Sequence, residues 1–188
     1  MEIIGNVERN KVVGSPEGLR VHFYSVDCSI EVGDECQLSG LTVHFRSPGC
    51  KVVIGPRCIM RGDVHLKSPN VSVLIGRNLR ARTGIFMNVA GGNVVIGDDC
   101  LFASVKFRTS DSHRILDAAS GEAINPPGNI VVGDRVWMAE DVLLLRNAEV
   151  GSDSVVGARS LVNGSIPDGS LAVGTPARVV RTGVRWEE

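Results

Sequence analysis

The sequence predicts an all-β solenoid of triangular cross-section, and three observations lead there. Glycine is abundant, with 22 residues in 188, while aromatics make up only 4%, a balance suited to many turns around a slim interior. Aliphatic-Gly pairs recur at Val32-Gly33, Ile54-Gly55, Ile75-Gly76, Ile96-Gly97, Val132-Gly133 and Val150-Gly151, in steps of 22, 21, 21, 36 and 18 residues. Within the steps, apolar positions fall six apart: Ile54, Met60, Leu66; Ile75, Ala81, Met87; Val132, Met138, Leu144, Val150, Val156, Val162. Six matches neither the helical period nor simple strand alternation. It suits a prism whose sides are short strands ending in turns, with three sides, or 18 residues, to a coil.

Taken in order, residues 1–20 form an N-terminal lead-in, 21–167 the repeat, and 168–188 a tail that leaves the beat and caps the last coil. Four residues after each pair's aliphatic member stand Cys36, Cys58, Leu79, Cys100, Val136 and Ser154, small or medium side chains suited to an inward column. Cysteines there pack the interior and are not nucleophiles, which need a polar, accessible niche. The early coils exceed 18 residues in a regular way. From Phe23, Phe45, Leu66 and Met87 to the next aliphatic-Gly pair the distance is nine residues, so three extra residues bulge at one corner of each coil. From Phe107 to Val132 it is 25. That corner swells into an extended loop at 108–129, "RTSDSHRILDAASGEAINPPGN", after which coils tighten to 18. About seven coils result.

Bulk composition excludes several classes. A net charge of -1 and a pI near 6.4 argue against nucleic-acid binding, which needs a basic field. No apolar run of about 18 residues predicts stable membrane insertion, and "MEIIGNVERNK" has no secretion-signal pattern, so a cytoplasmic location is expected. Five cysteines without a C-x-x-C pair suit reduced thiols. His22, His44 and His65 each follow a valine and stack in one column, expected to continue as Phe86 and Lys106. The position points outward, which predicts an exposed or subunit-facing ladder, and no metal site.

The beat aliphatic-Gly-x-x-small-x, from about residue 20 to 182, resembles the hexapeptide-repeat acyltransferase superfamily. The ordered series "FMN", "SDSHRI", "VVGDRVWMAEDVLLL", "VGSDSVVGARSLV" and "VGTPARVVR" is similar to its galactoside, maltose and capsular-polysaccharide O-acetyltransferases. The resemblance implies a left-handed parallel β-helix, a homotrimer with sites between neighbouring prisms, and acetyl-CoA as co-substrate with no metal required. It implies a catalytic role for His113 and acceptor binding by Asn88. Trp137 falls near the pantetheine end of the cofactor, and Arg178 and Arg181 near its phosphates. Ala139, Arg159 and Thr175 depart from the family's glycine, glycine and asparagine.

The chemistry agrees with these residue types. Acetyl transfer from a thioester to an alcohol needs a base as the hydroxyl attacks. Imidazole, with an ordinary pKa of about 6.5, is neutral yet basic enough near neutrality. Asp111 or Asp117 could fix the tautomer. The oxyanion needs preorganised donors, and turn amides at Ala139 and Glu140 are the candidates. With no activated serine or cysteine signature, direct transfer to a saccharide hydroxyl of a surface polysaccharide or its precursor is expected. The alternatives are N-acylation of an amino sugar nucleotide, a β-helix carbonic anhydrase, for which the loop has too few histidines, and a non-catalytic solenoid.

Overall fold

The computed structural model describes residues 1–187, and these form a parallel β-solenoid with three flat faces. The first face stacks eight parallel strands: Lys11–Val13, Ser29–Val32, Lys51–Ile54, Ser72–Ile75, Val94–Ile96, Ile130–Val132, Glu149–Val150 and Ser165–Ile166. The second carries Leu101–Phe102, Trp137–Met138, Val155–Val156 and Ser170–Gly174. The third carries Glu2–Gly5, Arg20–Phe23, Leu41–Phe45, Val105–Arg108, Leu143–Leu144 and Leu161–Val162. Two long strands, Ile59–Leu66 and Arg80–Val89, bend around the corner and join the second and third faces into one sheet. Eight rungs at the parallel-strand spacing give a column about 34 Å tall.

Eight rungs exceed the seven coils counted from the sequence, because the solenoid starts earlier. Glu2–Gly5 pairs in register with Arg20–Phe23, and Lys11–Val13 with Ser29–Val32. Val13-Gly14 stands 19 residues before Val32-Gly33 but is out of step with it, since Val13 is exposed and pairs with Glu31. At the other end, Ser170–Gly174 extends the second face, then Ala177–Thr182 returns antiparallel to it and closes the column.

The repeat's residue types have physical causes. The aliphatic member points inward, and Ile54, Ile75, Ile96 and Val132 are all buried. The glycine beside it is required by proximity: a Cβ on Gly55 would lie 2.6 Å from the Gly76 backbone carbon, and one on Gly97 2.7 Å from that of Gly133. Two residues further on the chain turns the corner in the left-handed region, with φ between 51 and 60° at Glu35, Arg57, Asn78, Asp99, Arg135 and Asp153. Such a conformation costs a non-glycine residue about 1–2 kcal/mol. Here the side chains stack and bond along the edge: Arg57 Nε donates to Asn78 Oδ1 at 2.8 Å, and Arg135 forms a bidentate pair with Asp153 at 2.6 and 2.7 Å.

The inward column carries hydrogen-bond donors matched to the turn above. The Cys58 thiol reaches the Gly76 carbonyl at 3.2 Å, Cys100 that of Gly133 at 3.3 Å, and the Ser154 hydroxyl that of Pro167 at 2.9 Å. Cys28 and Cys50, in the bulged corner, are buried and bonded in the same way. Burial pushes the Cys50 thiol up to about 11 and those of Cys58 and Cys100 to about 12. These groups stay protonated and unreactive in the fold. Titration with an aromatic disulfide at pH 8 should therefore modify half-buried Cys36 first, with Cys50, Cys58 and Cys100 reacting only as denaturant unfolds the protein.

Candidate active site

The loop at 108–129 leaves the corner between the third and first faces as a pinned arm. Thr109 is fully buried at its foot; its hydroxyl accepts from the Ala90 amide at 2.8 Å, and its carbonyl receives the Gly128 amide at 2.9 Å. The tip is a short hairpin closed by the Ile124 amide to Ile115 carbonyl bond, 2.9 Å, and the Leu116–Ala123 bridge. Between foot and tip, Asn125 is 6% exposed. Its Nδ2 donates to Asp111 Oδ2 at 2.9 Å and to the His113 carbonyl at 2.8 Å, and its Oδ1 accepts from the Ile115 amide at 2.6 Å. Arg146, from the next rung, ties Asp111 down at 3.0 Å. One buried amide thus fixes the backbone on either side of Arg114, and the exposed His113 ring stands out from a fixed base.

The two candidate tautomer partners are occupied elsewhere. Asp111 holds Asn125 and Arg146, which keep its carboxyl below the usual range. Asp117 sits on the tip turn, where the Ser120 amide and hydroxyl and the Ala119 amide lower its pKa. Among the described residues, neither hydrogen-bonds to the His113 ring. Asn125 and Arg146 were not singled out from the sequence. A lone polar residue before two prolines in a loop is the faint signal for the first, and nothing local marks the second.

Asn88 lies on the third face at the foot of the arm, paired in register with Arg108. Its neighbour below is His65, so the outward column runs His22, His44, His65, Asn88, Arg108. This corrects the expected continuation through Phe86 and Lys106. Met60 pairs with Ala81 but Gly62 with Ile85, so Arg80–Val89 carries two extra residues at its corner and every later position shifts by two. The rings stack, with centroids 4.9 Å apart for His22–His44 and 4.3 Å for His44–His65.

Of the remaining candidates, Trp137, Arg178 and Arg181 lie on the second face, and Ala139 and Glu140 at its corner with the third. Trp137 pairs with Val155, Val155 with Leu171, and Leu171 with Arg181. Trp137 and Arg181 thus stand on one line, three rungs or about 14 Å apart. Arg178 is paired with Val173 on the same sheet. The Ala139 amide is engaged with the Val156 carbonyl at 2.9 Å; the Glu140 amide has no such bond among the described residues. Trp137 is 38% exposed, and Trp186 from the tail packs beside it with ring centroids 6.4 Å apart, its Nε1 donating to the Arg135 carbonyl at 2.6 Å. Trp186 also borders a hollow of about 340 Å³ with Arg57, Arg80 and Leu101. In a triangular prism the second face lies opposite the corner that bears the arm. The arm with His113 is therefore on one side of the chain, and Trp137, Arg178 and Arg181 on the other.

No family model matches the chain. Among curated proteins it is 37% identical over 98 residues to a putative lipopolysaccharide biosynthesis O-acetyl transferase of Escherichia coli K12, covering 47% of this chain and 50% of the relative. It is 31% identical over 95 residues to a polysialic acid O-acetyltransferase of Escherichia coli O1:K1 / APEC, covering 50% of this chain and 31% of that protein. These matches span half or less of the relatives' length. The crystal structure of the polySia-specific acetyltransferase NeuO superposes with a TM-score of 0.88 at 28% identity, over 100% of this chain and 88% of that one. In sequence and architecture the chain is similar to saccharide O-acetyltransferases with a left-handed β-helix.

Two outcomes test this geometry. Burial first, and then the positive neighbours His44, Arg46 and Lys67 against the opposing Asp63, hold His65 down to about 4 from an ordinary 6.5; burial lowers His44 too. Between pH 6.5 and 4 the unfolded chain binds protons that the fold excludes, so this stability is complete above 6.5 and lost as pH falls toward 4. Thermal unfolding across that window should show a falling midpoint, and His65→Gln should flatten the slope. For the arm, Asn125→Ala should make 108–129 a preferred site of limited proteolysis while shifting the melting temperature by only a few degrees.

Proposed function

We propose that the protein transfers an acetyl group from acetyl-CoA to a saccharide hydroxyl, at a site built between neighbouring copies of a homotrimer. The observation that carries this reading is the placement of His113 and the line from Trp137 to Arg181 on opposite sides of one prism. A single chain cannot bring them together; an arm reaching onto the second face of its neighbour can. Similarity to saccharide O-acetyltransferases supports the chemistry.

In this reading, Arg178 and Arg181 hold the nucleotide phosphates, Trp137 packs on the pantetheine end, and Asn88 hydrogen-bonds the sugar. The His113 imidazole takes the proton of the acceptor hydroxyl as its oxygen attacks the thioester carbonyl. The carbonyl oxygen becomes an oxyanion, for which the Glu140 amide is the better-placed donor because that of Ala139 is already spent in the ladder. Collapse breaks the C–S bond, and the imidazolium returns its proton to the departing thiolate, leaving ester and free CoA thiol. The protein needs no covalent intermediate.

A panel of sugars, nucleotide sugars and oligosaccharides with acetyl-CoA, scored by thiol release, tests the activity. His113→Ala should lower kcat by at least about a hundredfold with folding and CoA affinity nearly unchanged. Comparable turnover in that variant removes His113 from the mechanism.

A further inference from the structure

The chain holds two tryptophans, and the fold brings them together. Trp137 stands outward on a two-residue strand, between Leu101 on the rung below and Val155 on the rung above. Both neighbours are smaller, and 38% of Trp137 is open to solvent. A large ring on a flat face beside such neighbours has more than one staggered rotamer available to it. Among the described residues, Trp186 is the one aromatic ring packed against it, with centroids 6.4 Å apart and planes 51° from parallel, a favourable separation for a tilted pair.

The tail is routed to make this contact. Ala177–Thr182 ends against Ser170, Gly183 turns the chain at a φ of 68°, and the Val184 amide bonds to the Gly169 carbonyl at 2.9 Å. Gly169 belongs to the line of left-handed turn residues: its amide bonds to Ser152, as that of Asp153 bonds to Asp134 and that of Arg135 to Asp98. From Val184 the chain runs back down this corner. Two residues later and two rungs lower, Trp186 Nε1 donates to the Arg135 carbonyl at 2.6 Å. Val184 and Trp186 are half-buried, while Arg185 and Glu187 pair with each other in solvent at 2.8 Å.

Arg135 is a firm anchor, held by its bidentate pair with Asp153 and by its amide bond to the Asp98 carbonyl at 2.7 Å. It stands two residues before Trp137, so one turn carries both the first ring and the point that fixes the second. Trp186 completes no core, because a hollow of about 340 Å³ bounded by Asn78, Arg80 and Leu101 opens below it. Burial alone gives the ring little reason to be here; contact with Trp137 gives one.

We propose that Trp186 is a positioning residue for the cofactor, bracing the Trp137 ring in the one orientation that packs on the pantetheine end. It acts through Trp137 and leaves the exposed side of that ring to the ligand. This role rests on the acetyl-transfer reading above, in which Trp137 meets the pantetheine. A ring already immobilised loses no rotamer freedom when a ligand docks on it, so the brace tightens binding. Such a contact holds ground state and transition state alike, and its loss is read in KM rather than in kcat.

The test compares Trp186→Ala with Trp186→Phe in the full-length protein. Each keeps Trp137 as the sole tryptophan, so time-resolved fluorescence anisotropy reads that ring directly. Trp186→Ala should gain a fast component of ring motion that Trp186→Phe lacks. By calorimetry, Trp186→Ala should weaken CoA binding about fivefold, with a matching rise in KM for acetyl-CoA, and Trp186→Phe should retain most of the affinity. Combined with Trp137→Ala, Trp186→Ala should add no further loss, because nothing is left for it to hold. Additive losses would make Trp186 an independent contact and overturn the brace. So would equal anisotropy in the two variants, or unchanged CoA affinity in Trp186→Ala beside a lowered melting temperature, which would make the tail a cap only. Tighter CoA binding in Trp186→Ala would make the tail a cover over the site and overturn the brace as well. Failure of the wild type to bind CoA, beside the anisotropy difference, would defeat the acetyl-transfer reading and remove the cofactor role with it.

Discussion

Rung-to-rung register is the constraint on which the rest of this molecule depends. Parallel strands bond each backbone group to the coil above and the coil below, so a residue type repeated at one position becomes a continuous line along the axis. Every line described here follows from that: the thiol column inside, the left-handed turn residues on the edge, the imidazole stack outside, and the run from Trp137 to Arg181. Because rungs sit so close, a side chain at the glycine position would strike backbone, and this is why the aliphatic-Gly pair is so regular.

A column with one register still has three unequal corners, and the inequality decides where the arm leaves it. The corner between the second and third faces absorbs two residues in Arg80–Val89 with only a shift of register. That between the third and first faces bulges in each early coil and holds buried Cys28 and Cys50 beneath it. Extra length there costs little, since a loop's closure penalty grows slowly with its length. The arm is that same corner lengthened, and Thr109 and Asn125 convert a long insertion from a floppy segment into a mount. What distinguishes the mount from a surface loop is a buried amide bonded to three partners.

How much of this was legible in the sequence depends on how local the cause is. The period was plain because the same steric rule acts on every coil, and the arm was plain as a departure from it. The first rung is hidden because its aliphatic-Gly pair breaks the rule: Val13 is exposed and pairs with Glu31, one residue out of step with Val32. Phe86 was misplaced because a shift at a corner leaves the count of apolar residues intact while moving all that follow. Asn125 and Arg146 converge on Asp111 from positions 14 and 35 residues away, and no periodicity encodes such a meeting. Trp186 lies in the tail outside the beat, 51 residues from the carbonyl it binds.

The arrangement also bears on assembly. In the proposed reading each chain offers an arm from one corner and receives another on the face opposite, so the contact joins unlike surfaces. Contacts of that kind propagate head to tail; they give an open filament unless the rotation between neighbours returns to its start. A column of parallel rungs favours closure, because neighbours can stand parallel and differ only by rotation about a shared axis. Parallel columns also bring the rung that carries His113 level with the rung that carries Trp137, since the arm returns into Ile130–Val132 and the same coil proceeds to Trp137–Met138. The site thus needs no shift along the axis between subunits. Closure about a threefold axis and alignment of base with cofactor face become one geometric condition, set by the register within each chain.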